Sequence, residues 1–192
     1  MRRLFAAAAV AASLAFAPLA AQAADFTIDK DHSHVVFLVD HLGYAKLMGQ
    51  FTDFGGTLSF DQENVGASKL AVSIKTASIE TQLAERNKHL RGADWFNATE
   101  FPEMKFVGKT FTKKDDKTGT IVGELTLLGV TKPVTLDVTF NKLGVNPLDK
   151  INSVGFSAKT SVKRSDFGMK TFLPAIGDQI DIAIEVEAKQ KS

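Results

Sequence analysis

The chain contains no cysteine. Disulfides are therefore excluded, as is a lipidated cysteine behind a leader, and stability must come from packing and hydrogen bonds alone. There is one Trp and one Tyr, which is too little stacking surface for a sugar or nucleotide site. No basic run is present and the formal charge is only +1, which argues against a nucleic-acid partner. After residue 23 no long apolar run occurs, so a soluble mature chain is expected. The sequence has no HExxH pattern and no GxSxG elbow, and after residue 23 no internal repeat or low-complexity stretch.

What is present begins with an address. Met1-Arg2-Arg3 is a short positive region, Leu4 to Ala20 is apolar, and Ala21-Gln22-Ala23 supplies a small-x-small pattern. This reads as a cleavable export signal, with cleavage expected after Ala23 and a periplasmic destination. The apolar run is broken at Pro18, which makes a retained anchor the weaker reading. Loss of Arg2 and Arg3 takes the formal charge from +1 to −1. Residues 24–192 suit one domain with a sizeable core.

That domain alternates with period two, the signature of half-buried strands. Val134, Leu136, Val138 and Phe140 oppose Thr135, Asp137, Thr139 and Asn141. Val154, Phe156, Ala158, Thr160 and Val162 form a second dry face, Ile180 to Ala188 a third, and Leu70, Val72 and Ile74 a shorter one. Runs at 25–29, 34–42, 47–61, 101–113 and 119–129 also read as strands. Turn chemistry at Asp61 to Asn64, Asp115 to Gly119 and Gly144 to Pro147 separates them. Connections this short imply an antiparallel sheet. About eight strands are expected, with 25–29 a ninth or a lead-in. Their length favours a closed barrel over a two-sheet sandwich, which stays open as an alternative.

One segment departs from this pattern. Thr81 to Arg91 has helix formers, with Thr81 a candidate N-cap and Gly92 a candidate left-handed stop. Trp95-Phe96 follows it. This helix and the connection from Arg164 to Gly177 are expected to cover the same mouth.

Candidates for chemistry are few. His32 and His34 would share a face if both lay on a strand, a spacing seen in metal sites, but no metal is expected. Ser33, His34 and Asp40 carry triad residue types without triad context. Asp115-Asp116 reads as a solvated turn, and Gly55-Gly56 as a bulge or sharp bend at a barrel corner. Arg164 or Asp166 could meet a ligand head group or clamp the mouth.

The inward faces are rich in aliphatic side chains and Phe, a lining suited to hydrocarbon. Met48, Met104 and Met169 would add adaptable surface. Burying roughly 600 Å² of apolar ligand at about 25 cal/mol per Å² gives on the order of 15 kcal/mol before ordering costs. Apolar inner faces would equally serve a solid core, so a filled barrel remains an alternative at this point.

Asp31-His32-Ser33-His34-Val35-Val36-Phe37 leads into Asp40-His41-Leu42-Gly43, and Gly49 to Leu58 follows. Arg86, His89-Leu90, Trp95-Phe96, Phe101-Pro102, Gly123 to Thr126, Gly129 to Val134 and Arg164 to Gly168 complete an ordered series. In order and spacing the chain resembles the YceI-like family of bacterial periplasmic proteins, also called polyisoprenoid-binding proteins. The resemblance implies a lipocalin-like antiparallel β-barrel with a polyprenyl chain or quinone tail threaded through it, and no catalytic residue. The family often carries an acid after the Arg at 86; here Asn87 stands there, and if that acid pairs with a neighbour at the mouth, the ion pair is changed in this chain.

The expected function is thus binding, sequestration or transport of a long isoprenoid lipid, with no cofactor beyond a bound polyisoprenoid or isoprenoid quinone. Phe37, Met104, Phe106, Leu125, Leu136 and Phe156 are the expected wall. Trp95, Phe96, Arg164, Asp166 and Phe167 are the expected mouth. Transient membrane contact and a homodimer through a barrel face are further expectations. Two rivals remain: an enzyme acting on a lipid-like substrate with His34 or His41 as base, and an interaction module with a filled barrel.

Overall fold

The computed structural model describes residues 23–191. Most of the expected leader lies outside the described residues, and the expected cleavage point falls at their edge. Among the described residues eleven strands form one antiparallel sheet. They are β1 (Ala24–Ile28), β2 (His34–His41), β3 (Ala45–Phe51), β4 (Phe54–Phe60), β5 (Lys69–Lys75) and β6 (Ile79–Glu80). After the helix α1 (Ala84–Leu90) come β7 (Glu103–Lys113), β8 (Thr118–Leu127), β9 (Val130–Val145), β10 (Asn152–Lys163) and β11 (Ile176–Gln190).

Because β1 pairs with both β4 and β11, the order β1-β4-β5-β7-β8-β9-β10-β11 closes into an eight-stranded barrel. The remaining three strands lengthen this ring. β1 and β2 lie end to end along β11, Ile28 opposite Ala188 and His34 opposite Glu185. β3 with β4, and β5 with β6, continue one another in the same way. The 25–29 run is therefore the lower half of the first barrel strand, not a ninth strand. The 47–61 run is one long strand interrupted at Thr52-Asp53.

The join between β1 and β2 has a specific cause. Asp29 opens a 3-10 turn at Lys30–His32, its carboxylate accepting from the Asp31 N–H at 3.1 Å. The turn interrupts the ladder to β11, and Ser33, buried at 3% exposure, fills the gap. Its hydroxyl donates to the Asp29 carbonyl at 2.6 Å and accepts the Glu187 N–H at 3.0 Å. A backbone donor that would otherwise be stranded is thus satisfied.

Chain direction alternates, so the connections sort by end. The β2–β3 turn, residues 81–102, the β8–β9 turn and residues 164–175 gather at one mouth. Residues 61–68, 114–117 and 146–151 gather at the other, here called the base. The two long connections meet as expected: Thr171 Oγ1 donates to the Asp94 carbonyl at 3.0 Å.

Local details differ from the sequence reading in four places. The helix starts later, with Leu83 as the N-cap, because Thr81 turns its N–H and hydroxyl toward Asn87 Oδ1. It ends on Arg91 in right-handed conformation, and the Gly92 N–H donates to the His89 carbonyl at 2.9 Å. Gly55-Gly56 lies within regular β4 pairing; a Cβ on Gly56 would sit 2.2 Å from the Ala71 carbonyl, so glycine there serves close strand approach. Gly144 and Val145 extend β9, and the turn begins at Asn146.

Candidate functional site

The four dry faces read from the sequence all point into the barrel, and they do not fill it. A cavity of about 900 Å³ runs along the axis, toward the large end of small-molecule pockets. Val134, Leu136, Val138 and Phe140 line one side, and Ile180, Ile182, Ile184 and Val186 another. On β2 the inner parity is Val35, Phe37, Val39 and His41. Val36 and Leu38 face outward beside Ala183 and Met48 of the flanking strands.

Three inner-wall glycines explain the hollow. A Cβ on Gly49 would lie 2.3 Å from the Phe37 ring, one on Gly123 2.3 Å from the Phe106 ring, and one on Gly108 2.6 Å from the Phe111 ring. Each ring occupies the space that a side chain at the glycine would take. Large side chains thereby coat the wall without plugging it. At the base Phe60, Phe140 and Phe156 pack together, with centroids 5.2 to 6.0 Å apart.

The helix-covered mouth is built around Trp95, which is 7% exposed. Its indole N–H donates to His89 Nε2 at 3.3 Å, and Phe172 packs beside it at 6.2 Å. The Arg164 guanidinium lies 5.2 Å from the Trp95 ring, a cation–π contact. Arg164 is 2% exposed and donates to the carbonyls of Met169, Ile176 and Gly177 at 3.1, 2.9 and 2.9 Å. Burial pulls its pKa below the usual arginine value, against the opposing field of Asp178. That carboxylate is held by the Ser165 N–H and hydroxyl at 2.9 and 2.7 Å. Burial works to raise the Asp178 carboxyl, yet the Ser165 bonds and the Arg164 field hold it below its ordinary value.

One turn of helix supplies the rest of this mouth. Arg86, His89 and Leu90 line the cavity at helical spacing. Arg86 Nε donates to Thr81 Oγ1 at 2.8 Å, and its Nη2 donates to the Thr81 carbonyl. Thr81 is fixed in turn by Asn87, whose Nδ2 donates to Glu80 Oε2 at 2.8 Å. Hydrogen bonds thus surround position 87, where an acid would face the Glu80 carboxylate.

Of the residues singled out in the sequence, Phe37, Met104, Phe106, Leu125, Leu136 and Phe156 line the bore. Trp95, Phe96 and Arg164 line its mouth. Asp166 and Phe167 do not line the cavity. A 3-10 turn at Arg164–Phe167 points Asp166 to solvent and buries Phe167 in the barrel wall, with Ile28 and Leu127 among the same core group. Sequence reading missed Arg86, His89 and Phe172 as lining residues. The i, i+3 spacing of Arg86 and His89 held the signal for that pair.

The histidines do not converge. His32 belongs to the 3-10 turn and bonds Asp29 at 3.0 Å, so it shares no strand face with His34. His34 is exposed on the outer wall and His41 reaches the upper cavity. Ser33 is engaged at the β1–β2 join, its hydroxyl bonded to the Asp29 and Glu187 backbones.

The model of the YceI-like domain matches residues 26–188. The chain belongs to the YceI-like family. Protein YceI of Shigella flexneri is 44% identical over 182 residues, which span 94% of each chain. The Campylobacter jejuni YceI crystal structure superposes with a TM-score of 0.71 at 34% identity, covering 80% of this chain and 90% of that one. A polyisoprenoid binding domain from Saccharophagus degradans, implicated in plant cell wall breakdown, shares the fold at a TM-score of 0.67 and 13% identity. That likeness covers 88% of this YceI-like chain and 99% of that domain.

Proposed function

We propose that this YceI-like protein binds one long isoprenoid lipid, of polyprenyl or isoprenoid quinone type, in its barrel and carries or sequesters it across the periplasm. The observation that carries this reading is the hydrocarbon-lined bore of about 900 Å³, kept hollow by glycines under phenylalanine rings. The shared fold of the Saccharophagus degradans polyisoprenoid binding domain supports the same ligand class. Cleavage after Ala23 would release residues 24–192 as the mature binding domain.

Binding is favoured over catalysis by the chemistry of the lining. Its walls are aliphatic and aromatic, and among the described residues neither His34 nor His41 has a hydroxyl partner. The test is native mass spectrometry and organic extraction of protein purified from its own periplasm. A stoichiometric isoprenoid lipid is expected. Protein that is lipid-free there, and that takes up no isoprenoid when offered one, refutes the proposal.

A further inference from the structure

The carboxylates and the arginines that line the bore lie at opposite ends of it, with Lys113 and Lys117 beside the carboxylates. All the carboxylates of the lining, Glu63, Asp115 and Asp116, sit at the base. They are solvated or internally engaged there: Asp116 pairs with Lys113 at 3.0 Å, and Asp115 accepts from the Lys117 and Thr118 N–H groups at 2.8 and 2.7 Å. The helix-covered mouth has the opposite character, with Arg86 and Arg164 and no carboxylate facing the cavity.

Neither arginine forms an ion pair among the described residues. This matters most for Arg164, at 2% exposure, because Asp178 acts on it only through its field, and a buried cation without a direct ion pair is costly. Three carbonyls hold it, leaving two of the five N–H groups of a guanidinium without a protein partner among the described residues. Arg86 is anchored at Nε and Nη2 by Thr81, and its Nη1 has no partner among the described residues. His89 adds a third donor: Nε2 accepts from Trp95, so in the neutral ring the proton sits on Nδ1. Nearby carboxylates are turned elsewhere. Asp178 is taken by Ser165, Glu80 by Gln82 and Asn87, and Asp40 by Gly43.

We propose that Arg164 and Arg86 form the head-group site of this bore, selecting a lipid whose polar end presents acceptor oxygens and rejecting one that ends in a cation. The inference rests on the lipid-binding reading and adds polarity and direction to it. The head group sits beneath the helix, and the tail runs toward the phenylalanines at the base. A carboxylate, phosphate or carbonyl oxygen completes the guanidinium hydrogen bonds, whereas an ammonium meets like charge with no acceptor to receive its protons.

The test uses four compounds with one tail: geranylgeranoic acid, geranylgeranyl monophosphate, geranylgeraniol and geranylgeranylamine, titrated at neutral pH by calorimetry. The acid and the phosphate are expected to bind at least tenfold tighter than the amine. Arg86→Met and Arg164→Met are expected to shrink that ratio to within threefold while the alcohol changes little. Arg86 is only half-buried, so Arg86→Met carries the test should Arg164→Met fail to fold. Equal affinity for acid and amine in the unaltered protein overturns the head-group site and leaves the lipid cavity standing. Persistence of the full ratio in both variants overturns the assignment to these arginines. Failure of all four compounds to bind removes the cavity reading itself, and the head-group site with it.

Discussion

Asn87 donates from Nδ2 to Glu80 Oε2 at 2.8 Å, while its Oδ1 receives the N–H and hydroxyl of Thr81. One buried amide is a donor on one side and an acceptor on the other. That donation is the chief reason the Glu80 carboxyl lies below its ordinary pKa. Asn87→Asp keeps the acceptor and replaces the donor with a second carboxylate. The variant should lose about 1–3 kcal/mol at neutral pH, the cost of a broken buried partnership. The new carboxyl has its folded pKa raised by Glu80, so stability returns as pH falls through that value and a donor is restored. Urea denaturation at neutral and mildly acid pH checks this; an equal loss at both rejects it.

Gly49→Ala places a methyl where the Phe37 ring now lies, 2.3 Å from the nearest ring carbon. The ring must swing into the bore. A loss of about 1–3 kcal/mol is expected from the crowding, together with weaker uptake of long tails than of short ones. Titration with a farnesyl-to-solanesyl series reads the second effect. An unchanged length preference would mean that the ring does not set the bore.

Asp29 sits between Lys189 and His32, at 2.8 and 3.0 Å. The Lys189 hydrogen bond, above all, holds its carboxyl at about 2, against an ordinary 3.8. A depressed carboxyl contributes stability that is full above the ordinary value and is lost as pH falls through about 2. His32 runs the other way: Asp29 raises its pKa, so its share is full below 6.5 and fades as pH rises through the raised value. Asp29→Asn should flatten both limbs of the stability profile. Equilibrium denaturation across the acid and neutral range tests it, and an unaltered acid limb would count against the pairing.

Ser33→Ala strands the Glu187 N–H at the join between β1 and β2. The expected cost is about 1–3 kcal/mol, with faster hydrogen exchange at the Glu187 amide than in the unaltered protein. Unchanged exchange there would show that the hydroxyl does not close the ladder.

Much of the barrel was legible because its faces are chemically unlike. Val134 to Asn141 and Ile180 to Lys189 alternate cleanly, and both alternations point as written. Strand β2 could not be oriented, since Val35 through Val39 is apolar on both faces and Val36 and Leu38 spend that character on the outer wall. Thr81 misled because a good cap residue was already engaged by Asn87. Asp166 misled because a 3-10 turn redirects a side chain within two residues of Arg164. The glycines that keep the bore open were visible as letters, but their role depends on which ring crosses which strand, and register supplies that.

The ring is sealed by its two ends: Phe26 pairs with Gln190. β1 therefore finds one neighbour, β4, early in the chain and the other, β11, only after every other described strand. Contacts so distant in sequence form slowly, and until they form the oily inner surface has no inside. The cylinder becomes a container in a single closing act, only when the whole chain has been delivered.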